Sequence, residues 1–478
     1  MKNTFLKIGL GVLLAATALN SCRDEFVDSQ FFQSVQQSPL NSIEELESFV
    51  RGQYTTMRSS SYYGGDFLMI PEVRSDNMYS DFANGAGYYQ TVASYSMVSS
   101  DQYATNPYQA MYTVLAKSNI IINNQPSGAL TWKASQDPAA ILQKSDYLKG
   151  QAYAIRALVL FDALRLFGQE YAGGLLGVVV PTKYDPTSLQ TRSTVAATRS
   201  QIEADFDKAV TLMAPAALNL YGDKTTVNLL SVKGLMSRYY IYKGDFAKVR
   251  TLVNDVVTSG RYSVVGPNDY ARSFTQANAA QNSMFELSVG SLADLGTTSI
   301  AYKLLPAPNG YGNMKVLTAM RANYSANDVR RDGITTANVL NGKYLNGFDN
   351  IHVLRYEEVL LNGAEAELQP GGSTVNALKY YNLILANRFK ASTAIPVFVP
   401  AVAVTLDDIY MERRKELIGE GFGYWDLLRL GKPVTQRSSS GVAGTVRTVG
   451  NNLLAFPIPR AELNVPGTLV VPNPGYAN

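Results

Sequence analysis

The sequence runs to 478 residues, 46% of them hydrophobic and 17% charged, which is the balance of a globular chain with ample core. A formal net charge of +3 points away from a polyanionic partner, nucleic acid included. One cysteine and one histidine leave no internal disulfide, no zinc site and no iron–sulfur site to be built.

Met1 to Ser21 reads as a secretory leader. Lys2 and Lys7 make a basic start, and Ile8 to Leu19 is an apolar run too short to span a bilayer comfortably. Removing the leader with its two lysines leaves a charge of +1. Cys22 follows Leu19-Asn20-Ser21, which is similar to a lipobox, the sequence cleaved ahead of a lipidated cysteine. An exported chain with one thiol cannot close an internal disulfide, so lipidation accounts for Cys22 better than a stray thiol does. Acyl chains there would anchor the protein, at ~0.8 kcal/mol per buried CH2. Residues 22–40 read as a polar tether and 41–478 as the folded domain.

Ser42, with Glu45 three residues on, predicts a capped helix running to about Met57. A second helix is expected over Pro107 to Asn124, and a Gly/Pro/Ser loop holding Trp132 follows it. Ser145 to Phe167 is apolar nearly all round, the mark of a helix buried among helices, and Gly168 ends it. Arg156, Asp162 and Arg165 interrupt the run, so it is no membrane span. Leu175 to Pro181 reads as extended, and Thr198 to Met213 as helical. Leu229 to Lys243 and Phe246 to Val257, joined by Gly244-Asp245, resemble a tetratricopeptide unit of helix, tight turn and helix. Three further pairs are predicted: the helix from Ser42 with that from Pro107, Ser145–Phe167 with Thr198–Met213, and Val353–Leu368 with Ala377–Phe389. Each pair has too little core to stand alone and must stack on the next.

Two segments have another texture. Residues 59–112 hold Tyr62, Tyr63, Tyr79, Tyr88, Tyr89, Tyr95, Tyr103, Tyr108 and Tyr112 among Ser, Gly, Asn and Asp. Residues 263–350 carry Tyr302, Asn309, Tyr311, Asn313, Arg321 and Tyr324. Tyrosine beside Ser, Gly and Asn is the composition of binding loops, flat amphipathic rings next to adaptable hydrogen-bonding groups. The competing reading is that the rings wedge loops onto a helical body.

Catalytic chemistry has little to work with. His352 sits alone beside Ile351 and Val353, at the head of the expected helix, and has no obvious second member of a Ser-His-Asp set. No Gly-rich phosphate loop follows a strand. A glycosidase needs only two carboxylates, and 39 acidic residues keep that open, but nothing singles out a pair. No spacing of the EF-hand type appears, and no cofactor or metal is expected.

The stretch from Thr405 to Gly431 is the most structured part of the sequence. Thr405 and Asp408 open a helix whose apolar stripe is Leu406, Ile409, Tyr410 and Leu417. Arg413 falls on that stripe and therefore points at the core, where a guanidinium is very costly unless paired. Glu412, Glu416, Glu420 and Asp426 are the candidate partners. Gly419, Gly421 and Gly423 let the backbone turn, and a short helix follows with Asp426 in its first turn and Arg429 in its last. Alternating signs favour a structural ion-pair network over a catalytic carboxylate pair.

Arg413-Arg414-Lys415-Glu416-Leu417, Gly419-Glu420-Gly421 and Trp425 to Gly431 closely resemble the signature of the SusD/RagB family, nutrient-binding surface lipoproteins of Bacteroidetes. Leu417, where the family usually has an aromatic, and Tyr424, near which it has an arginine, are mild departures. The helix from Ala152 to Gly168, the short segment Glu72 to Asn77, and the ends Phe456 to Pro459 and Val471 to Tyr476 resemble the family too. Arg23-Asp24-Glu25 resembles its surface-export signal. The resemblance implies a mainly α-helical SusD-like fold with irregular tetratricopeptide-like helix pairs and loop-rich ligand-face insertions. It implies a non-catalytic receptor, lipid-anchored to the outer membrane and facing the cell surface, that passes oligosaccharide to a SusC-like TonB-dependent transporter. A peptide ligand is the alternative within the family; a surface glycoside hydrolase and a protein scaffold are alternatives outside it. Asp76, Asn77, Tyr79, Tyr89, Tyr311 and Asn313 are the expected ligand contacts. Arg413, Glu416, Glu420, Trp425 and Asp426 are expected to serve the fold.

Overall fold

The computed structural model describes residues 38–84, 86–275, 280–390 and 398–476. The leader, Cys22 and the tether up to residue 37 lie outside the described residues. Pro39–Tyr184 and Leu189–Asn478 group into one unit. Asp185–Ser188 belong to another, and their described part is a turn in which Asp185 accepts from the Thr187 amide and hydroxyl at 3.0 and 2.8 Å.

The helices are, in order, α1 (Ile43–Met57), α2 (Asp66–Val73), α3 (Gln90–Ser94), α4 (Gln102–Ile122), α5 (Pro138–Phe167), α6 (Val195–Leu212), α7 (Leu229–Lys243) and α8 (Phe246–Thr258). After these come α9 (Ile300–Leu304), α10 (Thr318–Arg321), α11 (Val329–Asp332), α12 (Tyr356–Glu367), α13 (Thr374–Leu385), α14 (Leu406–Leu417), α15 (Gly423–Arg429) and α16 (Arg460–Leu463). Local chemistry sets most starts. Ser42 and Glu45 form a reciprocal capping box at α1, as Asn228 and Ser231 do at α7. Gly244 at φ +80° ends α7, and the Asp245 side chain caps α8.

The four predicted pairs are present: α1 with α4, α5 with α6, α7 with α8, and α12 with α13. They stack through α4 on α5 and α8 on α12, burying one contiguous apolar core. Buried ion pairs pin the stack. Arg156 grips Asp205 of α6 at 2.6 and 2.7 Å, and Arg238 of α7 grips Glu358 of α12 at 2.6 Å. The charges that interrupt the long helix are all partnered inside the core, Arg156 by Asp205 and Asp162 by Arg165.

Several boundaries differ from the expectation, three of them for a clear local reason. α5 begins at Pro138, because Asp137 caps it and proline suits the first turn. α4 begins at Gln102, capped by Asp101, and carries Pro107 within it. Ile351–Arg355 is no helix head but strand β4, paired antiparallel with β2 (Ser283–Leu287). His352 accordingly lies in a strand, with Nε2 against the Ser273 carbonyl at 3.0 Å and Phe274 edge-on to its ring.

The tyrosine-rich stretch is also more ordered than a set of loops. Tyr62, Tyr63, Tyr89, Tyr95, Tyr103 and Tyr108 are buried. The hydroxyls of Tyr62 and Tyr63 both donate to Asp162 of α5, which also takes Arg165. Most of these rings do wedge their segment onto the helices.

Candidate functional site

The two atypical segments meet in a ribbon. Strand β1 (Met78–Ser80) pairs antiparallel with β3 (Met314–Val316), which sets Tyr79 opposite Lys315. Alternation buries Met78, Ser80, Met314 and Val316 on one face and leaves Tyr79 and Lys315 half-exposed on the other. The Asp81 amide donates to the Asn313 carbonyl, and the Ser80 hydroxyl to the Tyr88 carbonyl, so the loops leaving each strand are tied together.

Beyond the ribbon lies a cluster of rings. Tyr311 is 42% exposed, the openest tyrosine of the two segments, and packs on Tyr88 at 5.4 Å and edge-on to Tyr302 at 4.7 Å. The Tyr311 amide donates to the Tyr302 carbonyl, which fixes the turn between α9 and β3. Lys303 of α9 reaches across the cluster, its Nζ 3.1 Å from the centre of the Tyr88 ring. Beneath it, the Tyr89 hydroxyl donates to Asp66 at 2.8 Å. Burial raises the Asp66 carboxyl, against the Tyr89 bond and Lys303.

At the other end of β1, the half-exposed Asp76 accepts from Arg437 at 2.7 Å, and its carbonyl accepts from Arg414. Arg437 belongs to a hairpin of β5 (Val434–Arg437) and β6 (Ala443–Arg447), whose Gly441 lies against the Tyr79 ring. A Cβ at Gly441 would stand 3.0 Å from that ring, and φ there is +78°.

Of the six expected contacts, Tyr311, Tyr79 and Asp76 have surface to offer. The other three do not. Tyr89 is fully buried, bonded through its hydroxyl to Asp66 and through its amide to the Tyr103 hydroxyl. Asn77 is buried with its side-chain Oδ1 accepting from Arg414 Nε at 2.8 Å, and Asn313 is buried behind the ribbon. These three support the face from below. None of the three lies within the ribbon: Asn77 and Asn313 stand just before its strands and Tyr89 just before α3, and spacing along the sequence does not say which of these positions the neighbouring elements cover. Tyr88, Tyr302 and Lys303 were missed. The tyrosines carried a signal in composition; Lys303 carried none, because only its burial sets it apart. Two open grooves of about 500 and 610 Å³, one beside the start of α5 and one beside the start of α6, involve none of these residues.

The residues assigned to the fold form a separate, closed assembly. Arg413 is buried, donates to Asp426 at 3.1 Å and to Asn362 at 2.6 Å, and Asp426 also takes Arg429. Trp425 is fully buried. Glu412, Glu416 and Glu420, offered above as partners of Arg413, pair elsewhere. Glu416 takes Arg330, Arg355 and Arg388 at 2.8–3.0 Å; Glu420 takes Arg355 and Lys343; Glu412 takes Arg330. Burial alone would raise these carboxyls. The guanidiniums of Arg388, Arg355 and Arg330 outweigh it and hold Glu416 well below the usual range, and Glu412, Glu420 and Asp426 are lowered in the same way. Glu72 is the exception. Burial pushes it up to about 7, although it accepts the Gly421 and Phe422 amides.

The chemistry this arrangement supports is adhesion. Flat, partly open rings flanked by an ammonium and a carboxylate can stack on a ligand and bond its polar edges. His352 is sealed into a strand pair, and the Asp76 carboxylate is occupied by Arg437, so neither is set up as a base beside a nucleophile.

Two family models match the sequence, one described as the SusD family over residues 320–476, the other as starch-binding, associating with the outer membrane, over residues 25–241. The SusD-like protein P38 of Formosa agariphila is 21% identical over 541 residues, covering 95% of this chain and 97% of that one. A SusD superfamily protein from Bacteroides thetaiotaomicron has the same fold, with a TM-score of 0.79 at 24% identity, over 91% of this chain and 100% of that one. Surface glycan-binding protein A from the same organism, solved in complex with laminarihexaose, gives a TM-score of 0.70 at 18% identity, over 90% and 99%.

Proposed function

The chain belongs to the SusD/RagB family, and from that premise we propose that it is a non-catalytic receptor that captures an oligosaccharide at the cell surface. The observation that carries this reading is the open ring cluster of Tyr311, Tyr88 and Tyr302 beside the ribbon. Sugar faces are apolar and flat, and each is matched by a ring, while hydroxyls are matched by Asp76, Lys303 and Lys315 at the edges. The solved relative with laminarihexaose supports a glycan over a peptide. Tyr311, Tyr79 and Asp76 are retained as ligand contacts, with Tyr88 and Tyr302 added.

In this reading the leader Met1–Ser21 is removed, Cys22 is lipidated and the protein is held at the outer membrane, facing outward. It delivers its ligand to a TonB-dependent transporter, whose energised import does the work. Cys22→Ala would leave the membrane fraction; a variant that stayed there after a carbonate wash would end the anchor claim. The binding claim is tested by titrating the soluble form with an oligosaccharide panel. Tyr311→Ala is expected to weaken binding roughly tenfold, in line with one lost stacking contact, at unchanged melting temperature. Equal affinity of wild type and Tyr311→Ala would remove the ring cluster from the site.

A further inference from the structure

Lys303 and Lys343 are both buried lysines of the 263–350 segment, each 2–3% exposed. Lys343 is finished. Its three donors meet the Glu416 carbonyl at 2.7 Å, the Ile418 carbonyl at 3.0 Å and the Glu420 carboxylate at 2.6 Å. Among the described residues Lys303 has no hydrogen-bond acceptor: its charge rests on the Tyr88 ring, with Tyr89 further off at 5.9 Å. Asp66 is its nearest counter-charge, but beyond ion-pair distance and already bonded to Tyr89. The Nζ is not among the atoms sealed from solvent. A buried ammonium with unfilled donors is costly to keep, and here it is kept on the ring of Tyr88, which packs on the exposed Tyr311.

We infer that the ligand of this face carries an anionic group, a uronic-acid carboxylate or a sulfate, whose oxygen is received by the Lys303 Nζ at the edge of the tyrosine cluster. The inference rests on the oligosaccharide reading above and adds the ligand's charge to it. The rings supply the platform, and the lysine supplies a charge-assisted bond that a neutral sugar would not use fully. Burial pushes the Lys303 amine down to about 8, with Asp66 opposing. The titratable groups around it are Asp66 on α2, Tyr88 and Tyr89 on the loop before α3, and Tyr302 on its own helix. Because the free amine loses its proton near pH 8, affinity for an anion falls as pH rises through that value, while affinity for a neutral sugar stays level.

The experiment is a set of calorimetric titrations of the soluble protein with three probes: oligogalacturonate, a sulfated carrageenan oligosaccharide, and laminarihexaose as the neutral control. One anionic probe is expected to bind roughly tenfold or more tighter than the neutral one, and which one identifies the group. Lys303→Met should abolish the preference while its melting temperature holds or rises, since an unsatisfied charge is replaced by an apolar side chain of similar length. Asp66→Asn, which still accepts from Tyr89, should strengthen anion binding. Tighter binding of laminarihexaose than of either anion overturns the inference and leaves the oligosaccharide reading standing. So does an anion preference that survives in Lys303→Met. Binding of none of the three overturns both.

Discussion

The charge network around Glu416 and the ring cluster around Tyr311 both draw on the 263–350 segment, and they are completed in opposite ways. In the network every guanidinium finds a carboxylate. Arg330 arrives from α11, Arg355 from the end of β4 and Arg388 from beyond α13, and all three converge on one side chain of α14. In the cluster, rings and a lysine are left with surface or donors to spare. The difference separates two uses of polar residues. Saturated, a buried polar group fixes loops to a scaffold; unsaturated and beside an open face, it waits for a partner.

Removing one member of the saturated region is the hardest blow. Glu416→Ala takes the shared carboxylate from three guanidiniums at once, although Arg330 keeps Asp328 and Glu412, Arg355 keeps Glu420 and Arg388 keeps Glu357, and should cost about 3–5 kcal/mol, read as a drop in the urea midpoint at unchanged slope. Arg413→Ala should cost about 2–4 kcal/mol, because Asp426 keeps Arg429. A melting temperature unmoved in both would mean that the network contributes nothing. Acid is the second test. The carboxyls of Glu412, Glu416, Glu420 and Asp426 are lowered in the folded state, so their contribution is complete above about pH 4–5 and is lost as pH falls through their folded values. Urea midpoints should fall steeply below about pH 4.

Glu72 runs the other way. Its folded value is raised to about 7, so its contribution is present below the ordinary carboxyl value and is lost as pH rises through about 7. Glu72→Gln keeps an acceptor for the Gly421 and Phe422 amides and should stabilise the protein by about 1–3 kcal/mol at pH 8, and by much less at pH 5. Equal stability of the two proteins at both values would contradict this. The smallest stability effect belongs to the open region. Tyr311→Ala should leave the melting curve in place, whereas Tyr89→Ala, which empties a buried ring site and frees Asp66, should lower it by several degrees.

The four helix pairs were readable because each follows from an apolar period and a local stop, as at Gly244-Asp245. The burial of Arg413 was readable from its place on the α14 stripe. Its neighbours' partners were not: Arg330, Lys343, Arg355 and Arg388 lie 28–86 residues from the glutamates they serve, and no local pattern encodes such a meeting. The ligand face was half legible. Composition located the two tyrosine-rich segments, but whether a given ring faces water is decided by a three-residue ribbon and by the helices beneath it. So Tyr311 lies open as the composition suggests, Tyr89 is buried against that expectation, and nothing in the sequence marks Lys303.

The central claim is that this chain holds its ligand and leaves it intact. Calorimetry of the soluble form with the oligosaccharide panel, followed by chromatography of the same samples, tests it directly. Saturable heat is predicted, weakened by Tyr311→Ala, with every oligosaccharide recovered at its starting length. Shortened products that vanish in Asp76→Asn would make the protein a hydrolase, and an absence of heat with every probe would make it a scaffold.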